Sequence, residues 1–500
     1  MILRAGSVGS IADDIEGIAR FAARSLASGN EAEAVPVVSK GAEHHKSALL
    51  WQWLALLHRS LDQHAQALTA FEAAAALAPA DAKIAQGRAQ TAMEAGLPAV
   101  ELFAHALSLA PGNGAVFIGY VAAKAAAGRG EEAAAEFREV LEREPMWAAG
   151  HQQYAQLQST LGRSAEATVP LEEALARFPR ATPLWATLLN IQIRRTDYRS
   201  LGRILERAQA AGIPPNDLAI FAAIHAAECD SEPFPAALFA QLPREIDQAL
   251  DAWRIRHLLR VGQFRAALPI VNRALQGAYA HEVWPYAGTV WRVTGDPRSD
   301  WLEIESSLVS VIDLTEALPP LPVLSETLTA LHLARGEYLD QSVRGGTQTD
   351  GPLFSRIDPV IQRVRAAVSS AVRDYVANLP PADPSHPLLR HRRDRAVRFA
   401  GSWSVRLRSG GHHSNHVHPQ GWISSALYVA LPPRSTSDDC AGWLSIGEPD
   451  ELLGVRETGV RKIEPVPGRL VLFPSWMWHG TVPFPDGERL TIAFDVAPPI

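Results

Sequence analysis

The sequence predicts an α + β multidomain protein: an N-terminal α-solenoid of helical repeats, then a double-stranded β-helix (jelly-roll) domain with flanking helices. Three observations carry that reading. Prolines recur at near-constant spacing through the first half, the text changes character near Ser299, and from Val397 onward apolar residues come in short runs split by Gly/Pro turns. The first pattern is that of stacked helix pairs. The last is that of a sandwich or small barrel.

A chain of 500 residues is too long for one hydrophobic core and suggests two or three domains. Its 47 Lys and Arg against 54 Asp and Glu give a net charge of -7, which offers no general pull toward nucleic acid or an anionic membrane. Two cysteines, Cys229 and Cys440, make no disulfide framework, so a reducing interior is expected. Asp13, Asp14 and Glu16 interrupt the apolar N-terminal text, and residues 1–26 read as an amphipathic helix rather than a signal peptide. No stretch approaches the roughly 18 apolar residues of a membrane span. A cytoplasmic location is the expectation.

"ALTAFEAAAALAP", "AVELFAHALSLAP", "AAAEFREVLEREP" and "ATVPLEEALARFP" end at Pro79, Pro111, Pro145 and Pro179, spaced 32, 34 and 34 residues apart. Twelve residues before each stands an alanine (Ala67, Ala99, Ala133, Ala167), and eight before it Phe71, Phe103, Phe137 or Leu171. Small residue, aromatic residue, closing proline is the tetratricopeptide pattern. The alanines let two helices approach, the phenylalanine wedges between repeats, and the proline stops the second helix because it lacks an N–H and clashes with the preceding turn. Trp51 and Leu54 fit the first helix of the first clear repeat. The clearest repeats span 48–215. A fifth begins near Trp185 and fades after Ile204, and "DAWRIRHLLRVGQFRAALPIVNRALQGA" is a further candidate. The array is taken as residues 1–298. Such arrays form a superhelix whose groove holds a protein or peptide partner.

The second domain is taken as 299–500. Residues 299–324 are Pro-rich and strand-like. "IDPVIQRVRAAVSSAVRDYVANL" reads as one helix with Ile357, Ile361, Val364, Val368, Val372, Tyr375 and Leu379 on one face and Pro359 in its first turn. Strands are expected at "RFAGSWSVRLR", "WISSALYVAL", "GWLSIG", "RKIEPV", "GRLVLFP" and "RLTIAFDV".

The chemistry gathers in the last hundred residues. In "NHVHPQGWISSALYV", His416 and His418 stand two apart, and residues i and i+2 of a strand point to one face. His479 follows "GRLVLFPSWMW", and Arg489 opens the final strand ten residues later. There, Arg489, Thr491 and Ala493 share the face opposite Leu490, Ile492 and Phe494. "LDQSVRGGTQTDGPLF", "SWSVRLRSGGHHSNHVHPQGWISSALYV" and "PGRLVLFPSWMWHGTVPF…ERLTIAFDV", in that order, resemble the 2-oxoglutarate–Fe(II) oxygenases of bacteria, many of which carry N-terminal tetratricopeptide repeats. The resemblance covers about residues 300 to 500. It implies a jelly-roll oxygenase domain in which Fe(II) is held by His416 and His479; His418, at the position of the family's third ligand, is taken as the third ligand here. It places the co-substrate 2-oxoglutarate on Arg489, whose fork matches a carboxylate, with Tyr428 a further candidate. It implies O2 as the other co-substrate and an oxidoreductase that hydroxylates a substrate recruited by the array.

One position departs from the pattern. The best-known members use His-x-Asp, the 2-His-1-carboxylate triad, and here His418 stands in place of the carboxylate. Either His418 is a ligand or it stands behind two histidine ligands. Two other readings compete. A cupin-type metalloenzyme fits "PGRLVLFPSWMWH" but lacks the glutamate expected after His-x-His. A tetratricopeptide adaptor with a non-catalytic oxygenase-like domain is opposed by the intact His416, His479 and Arg489. His412 and His413 read as mouth-lining or solvated, "RHRRDRAVRF" (390–399) as a solvated basic loop, and Trp403, Trp422, Trp476 and Trp478 as core or rim. The segment Arg344–Thr349 reads as a turn that, by the resemblance, lines the mouth.

Overall fold

The computed structural model describes residues 14–229, 244–303, 308–339, 341–433, 440–455 and 460–499. Of the expected N-terminal helix, residues 1–13 lie outside these. The remainder forms Ile15–Ala27, capped by the Asp14 carboxylate on the Glu16 and Gly17 amides.

Antiparallel helix pairs then follow one another. Ala48–Ser60 pairs with His64–Leu77, Ala82–Glu94 with Val100–Leu109, Gly114–Ala126 with Gly130–Arg143, and Ala148–Thr160 with Val169–Arg177. In each of these pairs the second helix ends two residues before its proline. The residue next to the proline has ψ of 69, 66, 60 and 66° (Ala78, Ala110, Glu144 and Phe178), outside the helical range, as the proline ring demands. Phe71 is buried and wedged against Gly87 of the next repeat, where a Cβ would stand 2.5 Å from the ring. The reversal inside each pair uses a left-handed residue: Gly29, Asp62, Gly96, Gly128, Gly162 and Thr196, then in the same phase Gly262 and Gly295. The period therefore outlasts Ile204. It continues through Tyr198–Ala210 and the pair Asp251–Arg260 and Phe264–Ala274 to the helix Ala280–Thr294.

The C-terminal half is an antiparallel two-sheet fold. Its strands are β1 (Ser310–Asp313), β2 (Val343–Gln348), β3 (Phe399–His413), β4 (Ile423–Ala430), β5 (Leu444–Ile446), β6 (Arg461–Ile463), β7 (Arg469–Pro474), β8 (His479–Thr481) and β9 (Arg489–Val496). The large sheet has the order β1-β7-β4-β9-β3-β2 and the small one β6-β5-β8. The helix Pro359–Ala377 forms where its apolar period predicts, capped by Asp358, with Ile361, Val364, Val368, Val372 and Tyr375 buried. Two expectations change. The Pro-rich text after Ser299 holds the helices Arg298–Glu303 and Leu321–Thr329 around one short strand. The expected turn at Arg344–Thr349 is largely strand β2, paired on β3 with a bulge at Arg344/Gly346.

The array is welded to this fold. One hydrophobic core runs from Ile255 through Trp284, Tyr286 and Trp291 into Leu472, Trp478 and Phe494. Trp478 Nε1 donates to Pro285 O and Thr289 Oγ1, both at 3.2 Å. Three of the repeat turns also touch the second half. Ile357 N donates to Ala95 O at 3.0 Å, Arg335 N to Thr160 O at 2.8 Å, and the Arg365 guanidinium to Asp62 O at 2.8 Å. At the far end Arg398, from the stretch expected to be a solvated loop, grips the buried Glu31 carboxylate bidentately.

That last contact is testable by pH. Burial alone would raise the Glu31 carboxyl, but hydrogen bonds, chiefly from Arg398, hold it below its ordinary 4.5. A carboxyl depressed in the folded state stabilises above its unfolded value and loses that contribution as pH falls through its folded one. Amide hydrogen exchange across Ile15–His45 should therefore quicken relative to the rest of the array below about pH 4.5. Arg398→Ala should show the faster exchange already at neutral pH.

Candidate functional site

β9 supplies one wall. Its residues alternate, and Arg489, Thr491, Ala493 and Asp495 all line one cavity together with Ser424 and Ala426 of β4. The small sheet supplies the opposite wall through Leu444, Gly480 and Thr481. The cavity thus lies between the two sheets.

Three histidines meet there. One nitrogen from each of His416, His418 and His479 lies within 4.8 Å of the other two. The i, i+2 geometry of a strand is not what brings them together. His416 and His418 do not head a continuous strand, because β4 begins at Ile423. His416 instead forms an isolated bridge with His479: His416 N donates to His479 O at 2.9 Å and His479 N to His416 O at 3.0 Å. His418 N donates to Ser475 O at 2.9 Å. His479 follows β7 after a turn, as expected. That strand stops at Pro474, a turn follows, and His479 opens β8. Glycine at 480 permits the approach, since a Cβ there would collide with the Asn415 side chain.

Each ring is fixed by an oxygen at Nδ1. His416 Nδ1 donates to Ser414 O at 2.8 Å, His479 Nδ1 to Met477 O at 2.9 Å, and His418 Nδ1 to the Asp495 carboxylate at 2.7 Å. Carbonyl and carboxylate oxygens only accept, so in all three a proton sits on Nδ1 and Nε2 is the atom a metal would take; His416 Nε2 lies 3.2 Å from the Ser342 hydroxyl, which can donate to it. Burial, then the neighbouring imidazoles, pushes His479 well below its ordinary pKa and His416 to about 3. Both are therefore neutral, as ligands must be. Burial pulls His418 down too, but the Asp495 charge and hydrogen bond outweigh it and leave His418 raised. The donor set fits a divalent transition metal such as Fe(II).

Arg489 and Tyr428 stand deeper. Arg489 is 2 % exposed and Tyr428 fully buried. The guanidinium carbon lies 5.1 Å from the Tyr428 ring centroid, and Arg489 Nη1 donates to Thr481 Oγ1 at 3.2 Å. Among the described residues neither Arg489 Nε nor the Tyr428 hydroxyl has a hydrogen-bond partner of good geometry, although the two side chains lie against each other and partly offset each other's pKa shift. Burial lowers the arginine and raises the phenol. A buried guanidinium without a carboxylate is costly, and an anionic group in the cavity would satisfy both orphaned atoms.

The other expected residues divide. His413 lines the cavity, its Nδ1 2.9 Å from Ser342 Oγ, whereas His412 turns to Gly410 O. Gln348 lines it, but Arg344 bonds back to Gln341 O and Val343 O. Trp403 stacks on His418 with centroids 5.9 Å apart, while Trp422, Trp476 and Trp478 are core. Sequence reasoning passed over Asp495 and Ser342. Asp495 had a signal, for it continues the Arg489, Thr491, Ala493 face. Ser342 had none.

Residues 401–495 match the family model described as "Putative 2OG-Fe(II) oxygenase". That oxygenase segment contains all three histidines, Tyr428, Arg489 and Asp495. Residues 98–161 match the tetratricopeptide repeat model. No curated protein matches the chain. Among solved structures, a Pseudomonas putida prolyl-4-hydroxylase aligns at 16% identity over 39% of this chain and 95% of its own, with a TM-score of 0.28. HygX from Streptomyces hygroscopicus, solved with nickel, 2-oxoglutarate and hygromycin B, aligns at 12% over 40% of this chain and 87% of its own, TM-score 0.27. The tetratricopeptide protein YrrB aligns at 15% over 36% and 93%, TM-score 0.29. None of the three is close enough to lend this chain a substrate. Among the described residues no helix is long and apolar enough to cross a membrane.

The orphaned hydroxyl makes a prediction for the metal-free protein. Tyr428→Phe removes a buried polar group with no hydrogen-bond partner, so it should leave stability unchanged or raise it by about 1 kcal/mol. Denaturant unfolding in the presence of a chelator measures this. A loss of similar size would show that the hydroxyl is paired.

Proposed function

We propose that the chain is an Fe(II)- and 2-oxoglutarate-dependent oxygenase that hydroxylates a protein or peptide recruited by the repeat array. One observation carries the reading: a buried guanidinium with an orphaned Nε shares a cavity with three histidines, each of which brings one ring nitrogen within 4.8 Å of the other two. His416, His418 and His479 would hold Fe(II) through Nε2. Arg489 would take the distal carboxylate of 2-oxoglutarate, with the Tyr428 hydroxyl on the same group. The iron supplies oxidising chemistry when bound with 2-oxoglutarate and O2, leaving succinate and CO2. The chain's own work is to fix three tautomers, hold the ligating face, and seat the co-substrate in a wall that water does not reach. The array takes part mechanically, because its helix Ala280–Thr294 anchors Trp478, the residue before His479.

With Mn(II) in the site, Arg489→Ala should weaken 2-oxoglutarate by about ten- to a hundredfold, from a charge-assisted bond of about 1.5–3 kcal/mol. Arg489→Lys should weaken it less, since the charge stays and only the fork is lost. Metal affinity should hardly move in either. Unchanged 2-oxoglutarate affinity in Arg489→Ala would sink the assignment.

His416→Ala and His479→Ala should each weaken Mn(II) by more than about a hundredfold, beyond what losing a supporting residue costs. Anaerobic titration reads this directly. The full-length protein with Fe(II) should convert 2-oxoglutarate to succinate, faster when cell extract supplies the substrate. No succinate under either condition would reject the oxygenase. Full-length protein is required, because a chain cut near 298 loses Trp284, Tyr286 and Trp291 from the shared core.

A further inference from the structure

We propose that Asp495 is the positioning residue that lets this site operate with three histidines, supplying through His418 the negative charge that a His-x-Asp sequence would place on the metal itself. The inference rests on the metal reading above. A 2-His-1-carboxylate set brings one negative charge to the ion; three neutral imidazoles bring none. In this chain the carboxylate stands one residue further out. Asp495 Oδ2 lies 2.7 Å from His418 Nδ1, on the side of the ring away from Nε2.

The carboxylate is held in place. Asp495 is 8 % exposed, and Ser424, its register partner across β4 and β9, donates its hydroxyl to Oδ1 at 2.6 Å. Ser475 Oγ lies 2.9 Å behind Ser424, and Ser475 O in turn accepts from His418 N at 2.9 Å. Trp403 stacks on the ring with planes 17° apart. The imidazole is thus fixed by a charge at Nδ1, a plane on its face and its own backbone. His416 and His479 have only neutral carbonyls at the same atom. A carboxylate on the remote nitrogen of a ligating histidine raises the ligand's basicity and fixes its direction. His418 is thus the one ligand equipped to stand in for an anion.

The test is a pair of backgrounds. In the wild type, Asp495→Asn should weaken Mn(II) binding by about ten- to a hundredfold, the usual effect of losing such a partner. In His418→Asp, which puts the carboxylate on the metal, the same Asp495→Asn should be neutral or should tighten binding, because two adjacent carboxylates repel. That reversal supports the proposal. An equal loss in both backgrounds means that Asp495 only shapes the cavity, and overturns it. Wild-type affinity in Asp495→Asn overturns it as well. Pulsed electron paramagnetic resonance gives a reading that does not need the His418→Asp protein to fold. The wild type should couple to three histidine nitrogens, one of them altered in Asp495→Asn, and only two couplings would remove His418 from the metal and with it the proposal. If the wild type binds no Mn(II), the metal reading itself has failed, which these outcomes keep separate.

Discussion

Two backbone hydrogen bonds, one in each direction between His416 and His479, hold the site together. They join the loop after β3 to the start of β8, and so tie the large sheet to the small one across the cavity. Everything at the candidate metal centre follows from that tie. It sets two of the rings 4.2 Å apart between centroids. It places His418, two residues on, where its own amide reaches Ser475. It leaves room only for glycine after His479. A cross-sheet bridge is a rigid device because a shift of one residue would turn the side chains to the opposite faces.

β9 carries the opposite wall, and its alternation sorts charge. Arg489 begins the inward face and Asp495 ends it, with Thr491 and Ala493 between. A guanidinium and a carboxylate six residues apart on one strand stand about 20 Å apart and cannot pair with each other. Each meets a different part of the cavity: Arg489 meets Tyr428 and Thr481, and Asp495 meets His418 and Ser424. Burial makes both arrangements expensive unless function returns the cost, which is why such groups mark sites.

The repeat array is structurally more than an attached module. Its later helices share one core with the β-sheets, and its left-handed turns follow at intervals of about 33 residues, several of them bonded to the second half. The earlier repeats meet the second half at their turns, which leaves their long faces for other contacts. The helix Ala280–Thr294 packs on Trp478, in the turn that leads to His479.

The sequence by itself determined the repeats, because their rule is local. Proline at fixed spacing stops each helix, alanine admits the neighbouring helix, and phenylalanine fills the gap, all within some fourteen residues. It determined the inward face of β9 for the same reason, since strand parity needs no knowledge of the fold. It also marked His416, His418, His479 and Arg489 by order and spacing. Tertiary structure alone decided how the histidines meet, because the bridge joins residues 63 apart and the local text around His416 holds no strand. It decided that Arg344–Thr349 is mainly a strand, since a stretch with two glycines becomes one only when β3 offers its edge. It decided the fate of the basic run at 390–399, where Arg398 looks solvated until Glu31, 367 residues away, closes on it. And it gave Asp495 its partner, for a carboxylate on an inward face shows only that something must meet it, and the folded chain shows that this is His418.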